Sequence, residues 1–416
     1  MTKTKTSTQP DLSLCVDCGG SATKILYQTS SSSQPSLLMM GPEVEKIEPN
    51  WLTSYFELEG ALTRPVPEKE AYLKWGKETY VVGDFAHRFN PEDRIAEAKY
   101  ENASYKVLAA IGVILTSSKL ITKKTIKCQL ALLLPWNEYK DSQILEKRLE
   151  EMLSEYEFQG QKLRVRLEKF VCKPEGFGLA MLRMREKGTD YFRASNIAVV
   201  MLGHRNSTAL MLEKGALRGD SPLYGFRELL DTVVKRTSGL ERNVLASSIF
   251  EAIRDFQREQ SRYSEPPITS RPDFTMQKAF HKLGRAKDSK LRASEIAEVA
   301  KVLTVATQEY WVKLNRWFDK FLLPNGELRE VIISGGAALY WKGELEKRFN
   351  CKLVRSRTDG CCYYYAEDRS KSHATIVFDA GIEESLKKAS WFLPKLLHRA
   401  TDCYGLFDYL IKGDSK

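Results

Sequence analysis

No apolar run in this chain of 416 residues approaches the ~20 residues that a helix needs to cross a bilayer. The two richest stretches, Leu130-Ala-Leu-Leu-Leu-Pro135 and Ile197-Ala-Val-Val-Met-Leu202, are far shorter and read as buried strands. Cysteine is sparse: eight residues in so long a chain do not make a disulfide scaffold, and a reduced, cytoplasmic setting fits them. Cys15 and Cys18 form a CxxC with no second pair to complete a zinc site, and Cys361-Cys362 has no metal-ligand spacing. Met1 to Pro10 lacks an apolar segment and is expected to be a disordered tail, not a signal peptide. Basic charge is not gathered into an arm. The net +10 comes from Lys and Arg scattered along the chain, which biases the surface toward anions. With no helix-turn-helix or zinc-finger pattern, direct sequence-specific DNA binding is not expected.

What is present describes a soluble globular protein: 43% hydrophobic and 28% charged residues, with length enough for two domains. Its most informative segment is Asp17-Cys-Gly-Gly-Ser-Ala-Thr-Lys24, set between the apolar runs Leu12–Val16 and Ile25–Tyr27. The alternation predicts a β-hairpin with glycines at its tip. Gly19 and Gly20 let backbone N–H groups approach an anion, and Ser21 and Thr23 add hydroxyls. Lys24 offers a charge that reaches a phosphate, and Asp17 can hold a hydrated Mg²⁺. A P-loop would instead need its glycine-rich turn to open a helix.

A second strand–glycine–strand pattern, Ile197–Leu202, Gly203, Thr208–Leu212, opens the other half and suggests an internal duplication. Between the two, Tyr80–Ala86 reads as a strand entering a glycine turn, and Tyr100–Leu115 as a helix. Ile126–Leu134 reads as a strand ending at Pro135. A helix from Ile144 to Leu153 with Asp141 as its cap follows, then a strand Leu163–Val171 broken by Pro174-Glu175-Gly176 and a helix Leu179–Met184. Residues 226–322 read as mostly helical. Glu330–Ser334 then predicts a strand running through Gly335-Gly336 into a helix Leu339–Phe349, a junction suited to a nucleotide. From about Glu384 the chain reads as an amphipathic helix bearing Trp391 and Phe392.

These segments, in this order, resemble the actin-like ATPases and most closely their bacterial ParM/StbA plasmid-segregation branch. Asp17–Lys24 is similar to the family's first phosphate loop, DxGxxxxK. Val82-Gly-Asp-Phe-Ala86 resembles its VG-x-x-A element, and Leu133-Leu-Pro-Trp-Asn-Glu-Tyr139 its LP-aromatic strand end. Val171-Cys-Lys-Pro-Glu-Gly176 resembles the strand end that carries the water-positioning glutamate, and Ile333–Ala338 the adenosine motif. The resemblance implies an α/β, actin-like (ribonuclease-H-like, duplicated) two-domain fold with a nucleotide cleft between the lobes. Its first domain would span 11–190, with a small subdomain at about 34–95. Its second would span 191–382, helical at 226–322 and returning to the first from about 365, with 383–416 as a helical extension.

The resemblance further implies ATP or GTP with Mg²⁺ as cofactors. Asp17, Gly19, Gly20, Ser21, Thr23, Lys24, Gly203, Arg205, Asn206, Ser207, Thr208, Gly335 and Gly336 would bind the nucleotide, Asp17 holding the metal through water and Glu175 serving catalysis. Head-to-tail self-assembly and a DNA-binding adaptor would be its partners. Two departures stand out. Met201 occupies the position of the second loop's acidic residue, and Arg205 is expected to offset the missing charge at phosphate. Near the end, Phe378-Asp-Ala-Gly381 stands where the family shows an Asn-Ala-x-Gly-like turn. Met201 keeps a second reading open, a nucleotide-binding scaffold with weak or no hydrolysis. A sugar or acetate kinase on the same fold would need an acidic base facing a substrate hydroxyl, and no motif supplies one.

Overall fold

The computed structural model describes residues 9–58, 66–91, 97–260, 272–323, 327–349, 351–355, 362–366 and 397–413. The chain divides into two compact units, the first Met1–Glu186 with Phe378–Lys416 and the second Lys187–Val377.

In the first unit, strands β1 (Leu12–Cys18), β2 (Thr23–Thr29) and β3 (Ser36–Met40) form an antiparallel meander. β4 (Val44–Ile47), helix α1 (Pro49–Leu58), β5 (Tyr72–Trp75) and β6 (Glu78–Val82) follow, the last entering a 3-10 turn at Gly83. Helix α2 (Lys99–Ser117) leads to β7 (Ile126–Leu134), the short α3 (Trp136–Tyr139) and α4 (Ser142–Ser154). β8 (Tyr156–Phe158), β9 (Gln161–Leu163), β10 (Val165–Pro174) and α5 (Phe177–Lys187) complete the run. The main sheet has the order β10-β7-β1-β2-β3, with β7 parallel to both β1 and β10. A smaller sheet has the order β4-β6-β5-β8-β9.

Every residue of β1 is buried because the sheet is covered on both faces. Leu12, Leu14, Val16 and Cys18 pack with Val107, Leu108 and Ile111 of α2 and with Leu145 and Leu149 of α4. Cys15, on the opposite face, packs with Leu26, Ala131 and Leu133 against Cys403, Leu406, Phe407 and Leu410 of a C-terminal helix, Leu397–Lys412. The two-residue alternation of a strand thus assigns one set of side chains to each helical layer.

The second unit contains α6 (Thr189–Ala194), β11 (Asn196–Leu202), β12 (Ser207–Glu213), β13 (Ala216–Asp220), α7 (Phe226–Arg236), α8 (Arg242–Gln260) and α9 (Ser289–Phe321). β14 (Glu330–Ser334), α10 (Lys342–Phe349), β15 (Cys351–Arg355) and β16 (Cys362–Ala366) follow. Its sheet has the order β13-β12-β11-β14-β16-β15, with β11 parallel to β14 and β16 antiparallel to it. β11-β12-β13 with β14 therefore repeats the arrangement of β1-β2-β3 with β7. On α9, Asp288 caps the first turn by accepting from the Lys290 and Leu291 N–H groups at 3.0 and 2.9 Å. Ile296, Val299, Leu303, Tyr310, Leu314 and Trp317 carry its buried stripe into the core of this unit.

Several local expectations change. Asp141 stands at the N-cap of α4 but its side chain makes no capping bond. Within 34–95 lies the helix α1 beside β4, β5 and β6 of the small sheet, which β8 and β9 complete, while β3 pairs with the main sheet. Gly335-Gly336 do not open a helix: a turn intervenes and α10 begins at Lys342. Met1–Thr8, Phe378–Gly381, Trp391 and Phe392 lie outside the described residues.

Candidate functional site

The three parallel strands of the first unit end together. Asp17 on β1 is in register with Leu133 on β7, and Leu133 with Lys173 on β10. Carboxyl ends of parallel strands are where α/β sheets hold ligands, because the connecting loops and helix N-termini gather there. The β1–β2 hairpin closes with Cys18 opposite Thr23, leaving Gly19-Gly20-Ser21-Ala22 as the loop. A Cβ on Gly19 would clash with the Ala22 carbonyl oxygen at 2.7 Å, beside Lys24 Nζ and Asp17 Oδ1 at contact distances of 3.4 and 3.7 Å. Only a residue without a side chain fits there. Lys24 forms an ion pair with Asp17, directly opposite it in the register. Thr23 Oγ1 is buried with no hydrogen-bond partner, a costly state for a hydroxyl. Ser21 is exposed at the loop tip.

Glu175 follows β10, buried, with its N–H donating to the Leu134 carbonyl at 2.8 Å and its carboxylate paired with Lys99 at the start of α2. Next to it lies a residue that motif reading missed. Asp402 of the C-terminal helix accepts from the Gly176 N–H at 2.7 Å and from the Leu179 N–H at 3.2 Å, holding the turn that opens α5. Burial, with further contributions from Asp17 and Glu175, pushes the Asp402 carboxyl up to about 7 against the pull of those two N–H donors. The signal was present in Asp402-Cys-Tyr-Gly405, a four-residue pattern like Asn-Ala-x-Gly with Asp in the first place. Burial pushes the Cys18 thiol up to about 11, opposed by Lys106 and Lys99 of α2, so it stays protonated at neutral pH and is a poor thiolate nucleophile.

The second unit builds the same hairpin. Leu202 pairs with Ser207, leaving the four-residue loop Gly203-His204-Arg205-Asn206, and a Cβ on Gly203 would lie 2.6 Å from the Asn206 carbonyl oxygen. Met201 opposite Thr208 takes the place that Asp17 opposite Lys24 takes in the first hairpin. Arg205, Asn206, Ser207 and Thr208 are all buried. The Asn206 side-chain amide donates to Thr208 Oγ1 at 3.1 Å, and the Ser207 hydroxyl donates to the Tyr224 carbonyl. The loop leans on α7, whose Phe226 and Arg227 N–H groups donate to the Gly203 and His204 carbonyls at 3.0 and 2.9 Å. Tyr310 of α9 in turn donates to the Gly225 carbonyl at 2.9 Å. Gly335, with φ +103°, approaches Leu202 so closely that a Cβ would lie 2.4 Å from its carbonyl oxygen, while a Cβ on Gly336 would meet open space. So the structure brings Gly335 to the base of the second hairpin, and Asp17, Lys24 and Glu175 to one end of the first sheet.

No protein-family model matches the chain, and no curated protein matches its sequence. Solved structures do match its fold. An archaeal actin homologue is 12% identical, covers 96% of this chain and 99% of its own, and superposes with a TM-score of 0.51. The fold is actin-like. Two further neighbours share it: the Alp12 filament structure, 13% identical over 97% of this chain and 99% of that one with a TM-score of 0.50, and Bacillus thuringiensis ParM with AMPPNP, 15% identical over 82% and 92% with 0.50. On this actin-like fold the duplicated hairpins are the repeated elements, and Met201 marks where the two copies have diverged. Among the described residues no helix is long and apolar enough to cross a membrane, and no group of three metal-ligating side chains is present.

Proposed function

We propose that this chain binds and hydrolyses a nucleoside triphosphate with Mg²⁺ and assembles head-to-tail into filaments that serve plasmid or DNA segregation through a DNA-binding adaptor. The observation that carries this reading is the pair of four-residue hairpin loops, each with a glycine where a carbonyl crowds out any side chain. Each loop by itself fits a phosphate. In the first unit Gly19 keeps a cradle clear beside Lys24, and the orphaned Thr23 hydroxyl is a buried donor awaiting an acceptor; in the second unit Arg205 is a buried cation on its own loop. A metal held through water needs one well-placed carboxylate, and Asp17 is that residue, with Lys24 as its charge partner.

When bound, the nucleotide supplies the phosphoryl bond to be broken and the metal neutralises its charge. Glu175 is fixed by its backbone bond to Leu134 and by Lys99, so its carboxylate orients a water with little reorganisation. Ser207 commits its hydroxyl proton to Tyr224 and so shapes the second loop, leaving Asn206, Thr208 and backbone N–H groups as the phosphate donors there. Gly336, beside open space, admits the nucleoside. Head-to-tail contacts are heterologous and run on into a filament when the rotation does not close a ring. That B. thuringiensis ParM was solved with AMPPNP and Alp12 as a filament supports both halves of the proposal.

Phosphate release with ATP and Mg²⁺, with light scattering followed in the same cuvette, tests it against Glu175→Ala. Turnover lowered about a hundredfold or more, to a measurable residual rate, in the variant and ATP-dependent scattering in the parent are the expected results. Met201 favours a second reading, a scaffold that binds nucleotide without hydrolysis. Retained binding with no turnover in either protein selects that reading.

A further inference from the structure

The C-terminal helix does more than cover a sheet. It crosses α5 with glycine against glycine: a Cβ on Gly178 would lie 1.9 Å from the Asp402 carbonyl oxygen, and one on Gly405 would lie 2.1 Å from the Gly178 carbonyl oxygen. That approach carries the Asp402 side chain to the two free N–H groups of the turn that follows β10, Gly176 and Leu179. Gly176, at φ +89°, is the residue immediately after Glu175. The turn is therefore held at three points: the Glu175 N–H on Leu134, the Glu175 carboxylate on Lys99, and the Gly176 N–H on Asp402. Two of these come from neighbours of the same sheet end. The third comes from a helix more than 220 residues further along the chain.

We propose that Asp402 is the positioning residue of Glu175, fixing the turn on which that carboxylate is mounted through the bidentate bond to Gly176 and Leu179. The proposal rests on Glu175 as the water-orienting group. A carboxylate suits the task because it is acceptor-only when ionised and offers one oxygen to each N–H, which a neutral amide cannot do. Buried donors left without acceptors would reorient the turn to find others. Displacing Glu175 by an ångström costs rate while leaving the phosphate-binding loops of both hairpins intact.

The test compares Asp402→Asn and Asp402→Ala with the parent chain in turnover, in ATP affinity by titration calorimetry, and in amide hydrogen exchange without nucleotide. The expected result is a fall in kcat of at least about tenfold for Asp402→Ala, with affinity changed less than about threefold. Asp402→Asn keeps one acceptor and is expected to recover part of the loss. In a Glu175→Ala background the Asp402 substitutions should cost nothing further, since the group they position is gone. Equal losses in both backgrounds, or affinity falling in step with kcat, overturn the proposal in favour of a merely structural role. Hydrogen exchange is independent of hydrolysis: amides 175–179 should exchange at least about tenfold faster in Asp402→Asn while β7 stays protected. Unchanged exchange there overturns the proposal even if the parent proves inactive, whereas faster exchange in an inactive parent removes only the hydrolytic reading.

Discussion

Two buried side chains make opposite demands on the folded chain and on its ligand. Thr23 Oγ1 has no partner, so Thr23→Val removes an unsatisfied hydroxyl while keeping the β-branched shape that suits a strand. The ligand-free protein is expected to gain about 1 kcal/mol in denaturant unfolding while losing ATP affinity, because the same hydroxyl is the phosphate donor in the function we propose. A loss in both would show that the hydroxyl is satisfied in the folded state. Asp402 gives a pH signature. Its carboxyl is raised to about 7 in the folded chain, from about 3.9 when unfolded, by burial and by Asp17 and Glu175, whose own charges face Lys24 and Lys99. The folded state therefore binds the extra proton between about pH 4 and 7, and stability falls as pH rises through that window. Asp402→Asn lacks this titration, so the stability of the parent relative to the variant should decline from pH 4 to 7 and level off above it. A pH-independent difference would place the ionisation elsewhere.

At the level of elements, the C-terminal helix is part of the first unit's core. Leu406, Phe407 and Leu410 are each buried against β1, β2 and β7, roughly 2 kcal/mol apiece by side-chain burial. Their sum approaches the whole stability of an ordinary domain, about 5–15 kcal/mol. Ending the chain before Leu397 is thus expected to abolish cooperative unfolding of the first unit by circular dichroism. A truncated chain that stays folded and still assembles would show that the helix is dispensable. A gentler probe is Gly405→Ala, which forces the two helices apart at the Gly178 carbonyl and should lower the melting temperature by several degrees. The small sheet also depends on distant partners, since β8 pairs with β5 from across α2 and α4.

Across the whole molecule, duplication with divergence is the main feature. One hairpin keeps an Asp–Lys pair at its base and the other has Met201 and Thr208 in the same register. Arg205 puts a buried positive charge on the loop whose hairpin has Met201 where the first has Asp17. If it takes over phosphate contact from the metal, Arg205→Ala should weaken ATP binding about tenfold or more and make the remainder strongly dependent on Mg²⁺. Calorimetric titrations with Mg²⁺ and with EDTA read this directly. Equal affinity of variant and parent in both buffers would sink the idea.

The local pattern alone determined the hairpins and their glycines, because a two-residue alternation interrupted by Gly admits few other structures. It also located β14 at Glu330–Ser334 and the strand end at Pro174-Glu175, since Pro and Gly stop a strand through the backbone itself. Only the tertiary structure decided the rest. β8 and β9 are too short to show a period, and α1 is a short helix whose half-buried Leu52, Tyr55 and Phe56 find their partners in Ile47 and Val81 of the small sheet and in Phe85 only in the folded chain. The Lys99–Glu175 pair and the Asp402 bonds join residues 76 and more than 220 positions apart, and no spacing rule reaches that far. The chemistry-bearing types were legible along the chain, but which of them meet was set by two helices packing on opposite faces of one sheet.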